Sequence, residues 1–103
     1  MSAKIIVFAS FHPNAGEEAE VEEILRRMVG PTRAEPGNEI YDLYRNDDTE
    51  EGASFHLFER YADQAALEQH RSTDHYRRYR ATITAHLAAP IGVKVLDALD
   101  ARG

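Results

Sequence analysis

"KIIVFASF", residues 4–11, has the β-branched and aromatic composition of a strand, and both of its alternating faces are apolar: Ile5, Val7, Ala9 and Phe11 on one, Ile6 and Phe8 on the other. A strand of this kind must be covered on two sides. The next segment supplies one cover. In "GEEAEVEEILRRMV" (16–29), Val21, Ile24, Leu25, Met28 and Val29 recur at helical spacing, with acidic residues at the start and Arg26-Arg27 near the end, as the helix dipole favours. Gly30-Pro31 is expected to stop or kink this helix and so to shorten it.

The same alternation continues downstream. "EPGN" (35–38) is turn chemistry, and "EIYDLYRND" (39–47) sets Tyr41 and Leu43 against Ile40 and Tyr44. "DDTEEGA" (47–53) reads as a polar hairpin loop, after which "SFHLFERY" (54–61) places Phe55, Leu57, Glu59 and Tyr61 on one face. A carboxylate thus occupies an otherwise apolar face. Asp63 can cap a helix over 64–70; Tyr76, Tyr79, Ile83 and Leu87 mark the buried stripe of a further helix that Pro90 ends; "IGVKVLDAL" (91–99) is the last strand.

Between those two helices lies "HRSTDHYRRYR" (70–80). On one continuous helix a five-residue step would turn His70 and His75 about 140° apart. Ser72 and Thr73 are good N-cap residues, so the segment reads as two helices, one ending near Arg71 and one beginning at Asp74, with the bend aiming both imidazoles at one place.

The element order is β-α-β-β-α-β, the ferredoxin-like α+β arrangement: a four-stranded antiparallel sheet with helices on one face. Ile6, Phe8, Ile40, Tyr44 and Phe58 would remain on the uncovered face, which predicts a homodimer packed sheet to sheet, a dimeric α+β barrel. The 103 residues make one domain, with a core over about 3–97 and a tail over 98–103.

Composition narrows the function classes. With 18 acidic against 12 basic residues, the formal charge of -6 disfavours a phosphate-backbone binder, so no nucleic acid partner is expected. The absence of cysteine excludes disulfides, thiolate nucleophiles and zinc-thiolate sites. No stretch approaches the roughly 18 apolar residues of a membrane span, and the start lacks a secretory h-region. The expected location is the cytoplasm, with no membrane partner.

The turn and strand "EPGNEIYDLYRND", the strand ending "FERY" and the helix "ALEQHRSTDHY" resemble the antibiotic biosynthesis monooxygenase (ABM) domain family. The family pattern falls on Glu35, Gly37 and Tyr41, then Glu59 and Tyr61, then His70, Thr73 and His75. The Gly37-Asn38 turn and "STDHY" look closer to the small quinol monooxygenase and autoinducer-phosphate isomerase branches than to the haem-degrading branch. The haem-degrading branch needs tryptophan where this chain has Tyr61, and the chain contains none.

The resemblance implies a dimer with a pocket in each subunit, between sheet and helices, for a small-molecule substrate. It also implies a cofactor-independent monooxygenase acting on a quinol or related electron-rich aromatic, because a deprotonated phenol can itself reduce dioxygen. His70 is the expected base, Glu59 the group that holds its tautomer or stabilises its charged form, and Tyr41 a hydrogen-bond donor to a substrate oxygen. Asn38, Tyr61, His75 and Tyr76 would line the cavity. Two alternatives stand beside this reading: an isomerase of a small phosphorylated ketose using the same base, and a non-catalytic dimeric metabolite-binding protein. Structural roles also compete, with His70 closing a helix, Glu59 pairing with Arg71 or Arg77, and the tyrosines serving as core aromatics. No metal is expected, since His-x4-His lacks the i, i+4 geometry of a helical metal motif.

Overall fold

The computed structural model describes residues 4–47, 50 and 52–102. Strands β1 (Ile5–Phe11), β2 (Asn38–Asn46), β3 (Ser54–Tyr61) and β4 (Gly92–Asp97) form one antiparallel sheet in the order β2-β3-β1-β4. Helices α1 (Glu18–Arg33), α2 (Gln64–Arg71) and α3 (Asp74–Ile83) pack on one face, giving the expected ferredoxin-like α+β fold. Residues 48, 49 and 51 of the expected hairpin loop lie outside the described residues. Among the described residues, no helix is long and apolar enough to cross a membrane.

The alternation in β1 and β3 sets the core. Ala9 and Phe11 of β1 and Phe55 and Leu57 of β3 meet Val21, Leu25 and Met28 of α1 and Tyr79 and Ile83 of α3. Ile5, Val7, Tyr61, Ala66 and Leu67 form a second cluster under α2. On the opposite sheet face the rings of Phe8 and Phe58 meet edge to face at 5.6 Å, and Phe8 and Tyr44 remain 42% and 55% exposed. Ile6, expected on that bare face, is nevertheless buried. The whole of β4 is exposed in the single chain, including Val93 and Val95 on the helix-bearing side, because β4 is an edge strand that pairs with β1 alone.

Two helix ends depart from expectation. Helix α1 continues through Gly30-Pro31 and ends at Arg33. Proline costs the bond from its missing N–H, but tertiary contacts hold the last turn. Thr32 is fully buried, the Ala34 N–H donates to the Gly30 carbonyl at 3.1 Å, and Arg33 donates to the Tyr41 carbonyl at 3.0 Å and to Asp42 at 3.1 Å. The final helix stops at Ile83, well before Pro90, and passes into a 3-10 turn over Thr84–His86. There the chain turns to pair with the segment after β1: Asn14 N–H donates to the His86 carbonyl and Ala88 N–H to that of His12, both at 2.8 Å, and Leu87 bridges Pro13. Backbone pairing wins over continued helix.

The break between α2 and α3 falls where the capping residues place it. Thr73 accepts from the Tyr76 N–H at 3.2 Å while its hydroxyl donates to the His70 carbonyl at 2.7 Å, and Ser72 donates to the Gln69 carbonyl at 2.8 Å. Asp63 caps α2 by accepting from the Ala66 N–H at 2.9 Å. Gly37 brings the preceding turn onto this helix: a Cβ there would stand 2.3 Å from the Ala66 Cβ. Only glycine lets the Glu35 turn lie flat against α2.

Candidate active site

Three segments distant in the chain converge beneath the break between α2 and α3. His70, in the last turn of α2, is 3% exposed; its Nδ1 lies 2.9 and 3.0 Å from the two carboxylate oxygens of Glu35. His75, at the start of α3, places Nε2 2.5 Å from Glu35 Oε2. A carboxylate only accepts hydrogen bonds, so both contacting nitrogens carry the proton. For His70 this fixes the tautomer, and its Nε2 keeps a lone pair.

That Nε2 stands 4.0 Å from Glu59 Oε1, too long for a hydrogen bond. Glu59 is 5% exposed and accepts instead from the Tyr61 hydroxyl at 2.6 Å. The rings of Tyr61, Tyr41, Tyr76 and His75 surround the His70 imidazole at centroid distances of 5.2, 6.0, 5.0 and 6.1 Å.

Burial tunes these groups in opposite directions. Desolvation pushes the Glu59 carboxyl from 4.5 up to about 7, against the Tyr61 hydrogen bond and the Arg71 charge, which favour the ionised form. Desolvation also lowers the His70 pKa below its ordinary 6.5, outweighing the pull of Glu35 in the other direction. The phenols of Tyr41 and Tyr61 are driven well above the ordinary tyrosine range, first by burial and then by the Glu59 charge, so both remain proton donors. The buried Thr32 hydroxyl lies beside the Tyr41 phenol.

Most of the expected residues therefore meet. His70, Glu59, Tyr41, Tyr61, His75 and Tyr76 share one neighbourhood, whereas the Asn38 amide donates to the Ile40 carbonyl of its own strand at 2.9 Å. Glu35, and not Glu59, is the carboxylate within hydrogen-bond distance of the His70 ring. Glu35 stands in the turn motif, and its separation of 35 and 40 residues from its partners leaves no periodic signal. His70 is enclosed by rings; a hollow of about 500 Å³ lies between α1 and the β2–β3 side of the sheet, with Val29, Arg33, Leu43 and Phe55 in its wall, and one of about 200 Å³ between α1 and α3 reaches His75 and Tyr79.

A ferredoxin-like domain with a buried imidazole between two carboxylates and a shell of phenols defines the class. The family described as "Antibiotic biosynthesis monooxygenase" matches residues 4–82. "Putative monooxygenase Rv0793" of Mycobacterium tuberculosis is 40% identical over 100 residues, covering 97% of this chain and 96% of the relative. The solved structure of Rv0793 superposes with a TM-score of 0.92 over 98% of this chain and all of that one, at 39% identity. PA3566 of Pseudomonas aeruginosa is similar at a TM-score of 0.86 and 31% identity, over 97% of this chain and 98% of that one. The chain belongs to the ABM family.

The raised Glu59 pKa has a defined stability signature. Between 4.5 and about 7 the folded state binds more protons than the unfolded state, so the contribution of Glu59 falls as pH rises through that window. Glu59→Gln stays neutral and can still accept from Tyr61. Urea denaturation across this range is expected to show the variant gaining on the parent by about 3 kcal/mol at most. His70 acts with the opposite sign, losing stability as pH falls below 6.5, but it does so in both proteins and cancels in the difference. A difference independent of pH would contradict the assignment.

Proposed function

We propose that this chain is a cofactor-independent monooxygenase acting on a quinol or related electron-rich aromatic, with His70 as the base. The observation that carries the reading is the orientation of His70: Nδ1 is held by Glu35, and the Nε2 lone pair faces the buried, phenol-lined side next to Glu59. Taking the hydroquinone proton there leaves an electron-rich anion, which reduces dioxygen; one oxygen atom enters a ring C–H bond and the other leaves as water. Hydroquinone and dioxygen thus give a hydroxyquinone and one water. The ordinary anion of the substrate forms in a site where water is scarce, which favours electron transfer over reprotonation.

The protonated phenol of Tyr41 supplies a donor for a substrate oxygen, while the Tyr61 hydroxyl keeps its proton on Glu59. Tyr76 and His75 are the half-buried rings on His70, and the hollow beside His75 marks the side from which an aromatic ring would enter. Asn38, Tyr61, His75 and Tyr76 are proposed as substrate contacts. The base also brings the chain within reach of the isomerase chemistry named above; the oxygenase reading is preferred because the similar Rv0793 bears the name of a monooxygenase.

Oxygen uptake and product analysis with a panel of hydroquinones test the reading. The parent should consume dioxygen and form hydroxyquinone, and His70→Ala should lose about 100-fold to 10,000-fold in rate; Glu35→Gln, which keeps an acceptor oxygen, should lose less. Turnover of phosphorylated ketoses without oxygen uptake, or no turnover of either class, would contradict it.

The same proposal includes a homodimer built on the bare sheet face. Phe8, Tyr44 and Leu96 expose apolar surface there. Burying such side chains is worth about 1.5–3 kcal/mol each. Sedimentation equilibrium should find twice the mass of the chain for the parent and the single-chain mass for Phe8→Glu. A parent that sediments as single chains would contradict the dimer.

A further inference from the structure

The contact of Glu35 with two imidazoles has a second chemical meaning. His70 Nδ1, His75 Nε2 and a Glu35 carboxylate oxygen lie within 4.8 Å of one another. They come from the turn before β2, the last turn of α2 and the first turn of α3. The objection from His-x4-His spacing applies to one continuous helix; here the histidines stand on either side of the Ser72-Thr73 break.

We propose that this cluster is a binding site for a divalent first-row transition ion of the Zn2+ or Co2+ kind, held by Glu35, His70 and His75. Two imidazoles and one carboxylate are a ligand set suited to such ions, and the chain has no thiolate to compete. With metal–ligand bonds of about 2.0–2.2 Å, the donors need only open from hydrogen-bond distance to clear the ion. His75 and Glu35 keep 23% and 13% of their side-chain surface exposed, and the hollow lined by His75 gives a way in.

The surroundings also fit. An imidazole that binds metal through one nitrogen places its remaining N–H against a carboxylate or carbonyl in most metal sites. His70 bound through Nδ1 would carry its proton on Nε2, which faces Glu59 at 4.0 Å. Ion binding thus reverses the tautomer that Glu35 otherwise imposes. The free cluster offers a lone pair at Nε2; the ion-loaded cluster offers a donor. The site stands whether or not the chain is an oxygenase, and if it is, the ion-loaded form lacks the base.

The test uses Co2+ as a spectroscopic probe and Zn2+ as a stabilising ligand on protein stripped with chelator. One Co2+ per chain should bind with visible d–d absorption, Zn2+ should displace it, and the melting temperature should rise with Zn2+ concentration. His75→Ala and Glu35→Gln should each weaken binding at least tenfold, while His86→Ala, which removes the surface contact to Glu17, should leave it unchanged. His75 is partly exposed, so its replacement tests the site even if Glu35→Gln fails to fold. Absence of the Co2+ bands, binding that survives His75→Ala, or binding lost in His86→Ala would overturn the proposal.

Discussion

A single carboxylate ties the working parts of this chain together. Glu35 leaves the turn after α1 and receives both imidazoles from across the break between α2 and α3. The contact joins the α1–β2 turn to two helices that share few contacts with each other, and it decides which nitrogen of His70 is free. Leaving the buried His70 N–H without its acceptor costs about 1–3 kcal/mol, so the arrangement resists disturbance. Gly37 makes it sterically feasible, because any side chain there would collide with Ala66 and lift the turn away.

The surrounding energetics follow from burial beside that contact. The sheet offers Glu59 and Tyr61 on the face that the helices cover, and dehydration then separates their behaviour from that of exposed groups. The carboxyl is pushed toward neutrality while the imidazole resists protonation, so at neutral pH the pair sits near a balance between proton donor and acceptor. Groups driven in opposite directions from their ordinary values are what acid-base chemistry requires. The cost is paid by the packing of Phe11, Leu57, Tyr79 and their neighbours in the adjoining core.

Much of this was legible in the chain. The period-two pattern of residues 54–61 marks β3 at its observed bounds, and Asp63 and Thr73 cap helices where their side chains suggested. The five-residue spacing of His70 and His75 pointed to the bend. What escaped the sequence is tertiary in origin. Pro31 stays helical because Arg33 and Thr32 are held by β2 and the core, and the last helix stops early because residues 86–88 find partners after β1. Glu35 looked like turn chemistry because nothing local distinguishes a carboxylate that caps a turn from one that reaches 35 residues onward to an imidazole.

Nitrogen-15 NMR of the histidine side chains at neutral pH reads which nitrogen of His70 carries the proton. A neutral ring is expected, with its proton on Nδ1 and a bare Nε2, in slow exchange with solvent. A His70 protonated on Nε2, or one that averages between tautomers like free imidazole, would contradict this assignment.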